Sequence, residues 1–360
     1  MNEAGLPTVE VAICTRNRAR LLERACEAVL AQDYPLELWR LSIVDNASTD
    51  DTFEVARALE RRFDGRVRAL RCLELGHSAA RNAAVRATTA EVLAFTDDDA
   101  LPDPTWLKTL VQVMDREGAD AGGGPVDLVL SGELPPWFLE CYLPYLAIWR
   151  PCDQVIGLTY NELPRGVNLA FRRDVFERVG LFSPHLGLRG HRQRFCEETE
   201  LCLRIERTGG RVIFSPASRV RHCVDAGRFT EAWLARRFAA QGRSEAILNW
   251  MHGGLRGLAL GSPVHFQNLR AATPRWDPVR RQDEPGGVVR LVPRTATERE
   301  RRDAAAILTH CRRQALLGYL RQAPLAVATV PRYRPPSGAE LERWAPPDHR
   351  VPPAAARRPD

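Results

Sequence analysis

The 360-residue chain is 44% hydrophobic and 27% charged, which excludes a disordered or fibrous protein and leaves material for one large domain with an appendage, or for two domains. Its formal charge of +6 and pI near 9.0 come from arginine, Lys108 being the sole lysine; this suits phosphate-bearing ligands or an anionic membrane, and a nucleic-acid partner would rest on arginine content alone and is not expected. Nine cysteines without a CxxC pair argue against a disulfide framework or a zinc site and for a reducing, cytoplasmic setting; neither a signal peptide nor a membrane-spanning run of ~18 apolar residues is read from the sequence.

In chain order, Val9–Thr15 reads as a strand and 18–32 as an amphipathic helix with Leu21, Leu22, Ala25, Ala28 and Val29 at helical spacing. A second strand ends at Asp45, a helix spans 52–63, and a third strand covers 66–74. Gly76 opens a loop, and Ser78 is expected to cap a helix over 78–90. Val92, Leu93, Ala94 and Phe95 form a fourth strand, buried and short, running into Asp97, Asp98 and Asp99. Alternating strands and helices imply a parallel, helix-flanked sheet, whose ligands lie at the carboxyl ends of its strands. Thr15, Asp45 and Asp97 all fall at such ends. Three adjacent acids there are either a solvated turn or oxygen ligands for a divalent cation.

Further on, "GGGPVDLVL" reads as a strand after a glycine-rich turn, and 135–151 as an aromatic, proline-rich loop or short helices over a cleft. "CEETELCLRIERTGG" is an amphipathic helix stopped by Gly209 and Gly210, and "RVIFSPASRVRHCV" two strands around Pro216, the second carrying His222. Helices follow Arg228, then an irregular Pro/Arg-rich stretch over 261–294 and a last helix. The expected domains are 7–228, a mainly helical extension over 229–330, and a disordered tail over 331–360.

The segments "VAICTRNRARLL", "SIVDNASTDDT", "GHSAARNAAV", "VLAFTDDDALPDPTWL", "GVNLAFRRDVF" and "CEETELCLRIERTGGRVIFSP", in this order, resemble glycosyltransferase family 2. The resemblance runs from about Val9 to about Val224 and implies the GT-A fold, a Rossmann-like α/β domain with a mostly parallel sheet, followed here by a C-terminal helical extension. It implies inverting transfer of a sugar from a nucleotide-diphosphate sugar, UDP-linked in the preferred reading, to an acceptor hydroxyl. The acceptor is a glycan, a lipid-linked saccharide or a small molecule. By the same resemblance Thr15, Arg18, Asp45 and Asn46 line the donor pocket, and Gly166 and Asn168 border the sugar. The triplet resembles the family's DxD motif, Asp97 and Asp98 facing the donor and Asp99 leading the metal ligands, with Asp97 and His222 completing a site for Mn²⁺ or Mg²⁺.

Arg81 sits near a helix N-terminus, where fork geometry and helix dipole suit a diphosphate; an exposed helical arginine is the plain alternative. Glu197 and Glu198 stand where the family carries Glu-Asp. An inverting transfer needs a carboxylate to take the acceptor's proton, and Glu198 is assigned that role with Glu197 in reserve. Glu200 is read as an acid that merely suits a first helical turn. The basic loop "GLRGHRQRF" either closes over the diphosphate or is a flexible surface loop. The rivals are a non-catalytic nucleotide-sugar or glycan binder of the same fold, and a sugar nucleotidyltransferase, which the glycine-free "CTRNRAR" disfavours. In the last helix Ile307, Leu308, Leu316, Leu317 and Leu320 make an apolar stripe that either packs on the protein, the favoured reading, or touches a membrane peripherally.

Overall fold

The structure is a computed structural model and describes residues 5–130, 132–159, 162–260, 278–284 and 287–336. Strands β1 (Val9–Thr15), β2 (Trp39–Asn46), β3 (Val67–Cys72) and β4 (Val92–Thr96) alternate with helices α1 (Ala19–Leu30), α2 (Thr52–Arg62) and α3 (His77–Ala87). The strands are covered on both faces, so they read as near-continuous apolar runs; all five residues of β4 are buried. The helices need one apolar stripe, and α1 buries Leu22, Ala25, Cys26 and Val29 at that spacing.

Next come β5 (Ala100–Pro102), α4 (Trp106–Arg116), β6 (Ala121–Gly123), β7 (Val126–Leu130), β8 (Ile156–Leu158), β9 (Leu169–Arg172), α5 (Asp174–Val179), α6 (Glu197–Arg207), β10 (Val212–Phe214) and β11 (Val220–Val224). The main sheet has the order β3-β2-β1-β4-β9-β6-β10-β8, with β3, β2, β1 and β4 parallel and β9 antiparallel to β4. A seven-residue 3₁₀ segment, Glu140–Leu146, occupies the aromatic stretch. The parallel α/β architecture and the strand-end positions of Thr15, Asp45 and Asp97 are as the sequence implies.

The C-terminal part is helical as expected, with a strand pair added. It contains α7 (Glu231–Leu260), bent where Gly254 has φ of 58°, and α8 (Glu298–Thr329), opened by a Thr297/Glu300 capping box. Within the stretch expected to be irregular, β12 (Val279–Asp283) and β13 (Val289–Pro293) form a hairpin. Through Val289 opposite Leu128 it joins a second sheet of order β12-β13-β7-β11-β5, so the extension is tied into the first domain's sheet. Helices α7 and α8 touch backbone to backbone. A Cβ at Gly242 would meet the Ala315 carbonyl oxygen at 2.0 Å, and one at Gly318 that of Ala239 at 2.1 Å. The expected tail is docked at its start, where the Tyr333 hydroxyl donates to the Val179 carbonyl (3.2 Å); residues 337–360 lie outside the described residues. Ser78 is not a cap. Helix α3 begins at His77 after Gly76, and the Ser78 hydroxyl donates to the Leu186 carbonyl (2.8 Å). Among the described residues no helix is long and apolar enough to cross a membrane.

Candidate active site

The three aspartates after β4 have different partners. Asp98 accepts from the Thr15 hydroxyl at 2.6 Å. Burial, and then the charge of Asp99, push its carboxyl up to about 7, against that hydrogen bond. Asp99 meets His222 because β5 runs antiparallel to β11 with Ala100 opposite His222. His222 Nε2 stands 3.2 Å from Asp99 Oδ1, and Arg228 donates to Oδ2 at 3.1 Å. Burial works against ionisation of Asp99, but the His222 hydrogen bond and the positive charges around it outweigh burial and hold the group at about 2.

His222 Nδ1 lies 2.9 Å from the Leu146 carbonyl oxygen, which can only accept, so Nδ1 carries the proton. In a neutral ring Nε2 is then a lone pair facing a carboxylate oxygen. That arrangement is favourable with a second proton on the ring or with a cation against both atoms. A nitrogen and a carboxylate oxygen converging in this way fit Mn²⁺. Among the described residues no three His, Cys, Asp or Glu side chains gather as ligands. Of the expected trio the structure thus brings Asp99 and His222 together, and Asp97, half-buried, does not complete a three-ligand cluster with them.

Asp45 is wholly buried at the end of β2. Its Oδ2 has long contacts with the Ser48 amide (3.4 Å) and Arg71 Nε (3.7 Å), whereas Oδ1 has no hydrogen-bond partner among the described residues. Such a buried carboxylate oxygen has the capacity to accept an N–H or O–H. Arg18 is exposed, and its charge acts on both Asp98 and Asp99.

Arg81 joins the two sides of the site. It is 2% exposed and its guanidinium lies over the rings of Phe95 (5.6 Å) and Phe182 (5.5 Å). NH2 donates to the Gly166 carbonyl (3.2 Å) and NH1 to Glu197 Oε1 (3.3 Å), with Glu198 Oε2 at 4.0 Å. Burial would discharge it, yet Glu197, Glu198 and Asp97 together keep it more firmly protonated than a free arginine. Gly166 is required here, since a Cβ would fall 2.5 Å from Arg81 NH2.

Glu197 and Glu198 open α6 after Cys196, whose φ of 72° turns the chain into the helix. The His77 Nδ1 proton is shared with Glu197 Oε1 at 2.9 Å. Burial opposes ionisation, but that hydrogen bond and Arg81 hold Glu197 at about 2. Glu198 has no such partner. Burial, then the charge of Glu197, push it up to about 7. Its side chain is 20% exposed, so it reaches solvent. Two further cations, Arg165 and Arg237, are close enough to feel Glu198's charge; burial lowers both, Arg237 to about 10.

Two expected donor contacts are occupied by the scaffold. Asn46 donates to the Glu74 carbonyl (2.7 Å) and accepts from the Gly76 amide (2.8 Å), which ties β2 to the entry of α3. Asn168 is fully buried, accepting from Trp106 Nε1 (2.8 Å) and donating to the carbonyls of Pro125 (3.0 Å) and Ser218 (2.8 Å). Its amide has no surface left for a sugar. Glu200 is a structural acid as expected, held by Arg204 (2.7 Å) and His252 (2.8 Å). Residues outside the expected set are His77, Arg228, Arg165 and Arg237. His77 carried a usable signal, since it precedes Arg81 by four residues on one helix face. The basic loop lies against α3, the His77 amide donating to the Leu188 carbonyl (2.7 Å), and its tip around Arg189 and Arg192 is exposed.

Comparison with known proteins bears on the family and the fold. The profile of "Glycosyl transferase family 2" matches residues 10–180. Glucosyl-dolichyl phosphate glucuronosyltransferase of Haloferax volcanii is 31% identical over 252 residues, 68% of this chain and 78% of that protein. Succinoglycan biosynthesis protein ExoM of Rhizobium meliloti is 29% identical over 248 residues, 67% of this chain and 74% of that protein. Among solved structures, the mannosyltransferase PcManGT from Pyrobaculum calidifontis, in complex with GDP-Man and Mn²⁺, superposes with a TM-score of 0.52 at 21% identity. The match covers 91% of this chain and 89% of that one, and shows a shared fold.

Proposed function

The chain belongs to glycosyl transferase family 2 and is a glycosyltransferase with the GT-A fold; from that premise we propose that it moves a sugar, with inversion, from a UDP-sugar to an acceptor hydroxyl on a glycan or lipid-linked saccharide. The observation that carries this reading is Arg81, one buried guanidinium on which Glu197, Glu198 and the charge of Asp97 converge. It gathers the aspartate-rich strand end and the paired glutamates into one site.

Asp45 Oδ1 takes a hydroxyl or N–H of the nucleoside, and Arg18 faces the diphosphate. Asp99 and His222 hold a divalent cation, Mn²⁺ or Mg²⁺, whose chemistry when bound is to neutralise the charge developing on the departing diphosphate. Glu198 accepts the acceptor hydroxyl's proton as that oxygen attacks the anomeric carbon. A carboxylate titrating near 7 is a stronger base than an ordinary glutamate and is still substantially ionised at neutral pH. Glu197 stays charged and pinned, which orients Arg81 and raises its neighbour's basicity.

The test is a thermal-shift and nucleotide-release panel of UDP-, GDP- and other nucleotide sugars, each with and without Mn²⁺. Stabilisation by a UDP-sugar that requires the cation, with UDP released on adding a saccharide acceptor, is the expected result. Stabilisation indifferent to metal, or confined to another nucleotide, overturns the corresponding part of the reading.

A further inference from the structure

We propose that the outward face of the C-terminal half of α8 is a docking surface for an anionic lipid bilayer. An ordinary surface helix turns its large apolar side chains inward. From residue 315 onward α8 turns its leucines outward. Ala315, Gly318, Tyr319, Gln322 and Ala326 are buried against the protein, with Ala315 and Gly318 at the close backbone crossing with α7. The opposite arc carries Leu316 (47% exposed), Leu317 (40%), Leu320 (57%) and Val327 (42%). At 100° per residue these four fall within about a third of the helix circumference. Of the stripe read from the sequence, Ile307 and Leu308 pack inward and the leucines from 316 onward do not.

Charge identifies the occupant. Residues 304–336 contain Arg312, Arg313, Arg321, Arg332 and Arg334 and no acid. Arg313 and Arg321 are exposed beside the leucines. The neighbouring end of α7 repeats the pattern over 246–260, with Leu255 71% exposed, Arg256 exposed, and no acid. Asn249 donates to the Tyr319 hydroxyl (3.2 Å), which donates to the Leu258 carbonyl (3.0 Å), so the two stretches lie side by side. Leucines among arginines, with no carboxylate in either stretch, match the interface of an anionic membrane, where apolar side chains enter the acyl boundary and guanidiniums stay with the headgroups. A second copy meeting this face about a two-fold axis would set the same arginines against each other.

The experiment is flotation of the full-length protein with phosphatidylcholine vesicles, either pure or with about one-third phosphatidylglycerol. The wild type is expected to float with the anionic vesicles, and Leu316→Ser/Leu317→Ser/Leu320→Ser to lose at least about tenfold in partitioning. Arg313→Gln/Arg321→Gln is expected to weaken binding and remove the preference for anionic lipid, which added salt should also do. Both variants should keep the wild-type melting temperature and sugar transfer to a water-soluble acceptor, readouts independent of vesicle binding. Failure of the wild type to float, or a leucine variant that floats as well, overturns the proposal. So does a wild-type dimer that the leucine variant converts to monomer, because the face is then covered by a second copy.

Discussion

Glu197 and Glu198 are adjacent on the first turn of α6, yet His77 and Arg81 hold the first at about 2 while burial and its neighbour's charge lift the second to about 7. Two carboxyls one residue apart thus differ in charge state, one held ionised and the other titrating near neutrality.

Replacing Glu198 by Gln should lower kcat by about 10²- to 10⁴-fold with little change in donor KM. The same substitution should stabilise the fold at alkaline pH. With the folded group at about 7 against an ordinary 4.5, the protonated carboxyl favours the folded state below 4.5, and this contribution is lost as pH rises through 7. Melting curves of wild type and Glu198→Gln at about pH 5 and pH 8 should therefore diverge mainly at the higher pH.

The wild-type pH profile of kcat/KM should rise with pH through about 7, where Glu198 loses its proton. Glu197→Gln removes the charge that opposes this ionisation and frees Arg81 to favour it. Its acidic limb should move to lower pH, while activity on the plateau falls because the base is weaker. An unmoved limb would detach Glu198 from the proton transfer.

Gly166→Ala should be out of proportion to its size. The added methyl meets an arginine pinned between two aromatic rings and Glu197, which cannot swing away. A stability loss of about 1–3 kcal/mol is expected, with loss of transfer activity at temperatures where the variant remains folded. Chemical denaturation with parallel single-temperature assays separates the two effects.

Asp99→Asn and His222→Ala should each raise the Mn²⁺ concentration needed for half-maximal activity by about 10- to 100-fold. Asp45→Asn should leave the metal requirement unchanged and raise donor KM, since it alters the carboxylate with the unpaired oxygen. A metal titration at saturating donor distinguishes the two classes.

The parallel half of the fold is legible because its signals are local. A short apolar run followed by polar residues fixes a strand and its end, and Thr15, Asp45 and the aspartates follow from that. The β12–β13 hairpin has no such signal. "VRRQD" at the rim of a sheet keeps little apolar character, and the hairpin's place in the sheet depends on β13 against β7, far earlier in the chain. The site divides in the same way. Asp99 and Glu198 stand out by position, whereas Arg228 against Asp99 and His77 against Glu197 depend on contacts across long stretches of sequence. Asn46 and Asn168 lie at informative places for another reason, since buried amides there close the loops that carry the site.

The antiparallel register that sets His222 against Asp99 spans two separate parts of the polypeptide. During synthesis Asp99 emerges from the ribosome well before its imidazole partner, so a nascent chain of barely two hundred residues has its first four strands and no His222 to set against Asp99. If that pair holds the cation as proposed, a truncation that stops short of β11 is expected to be inert however well its first four strands have formed.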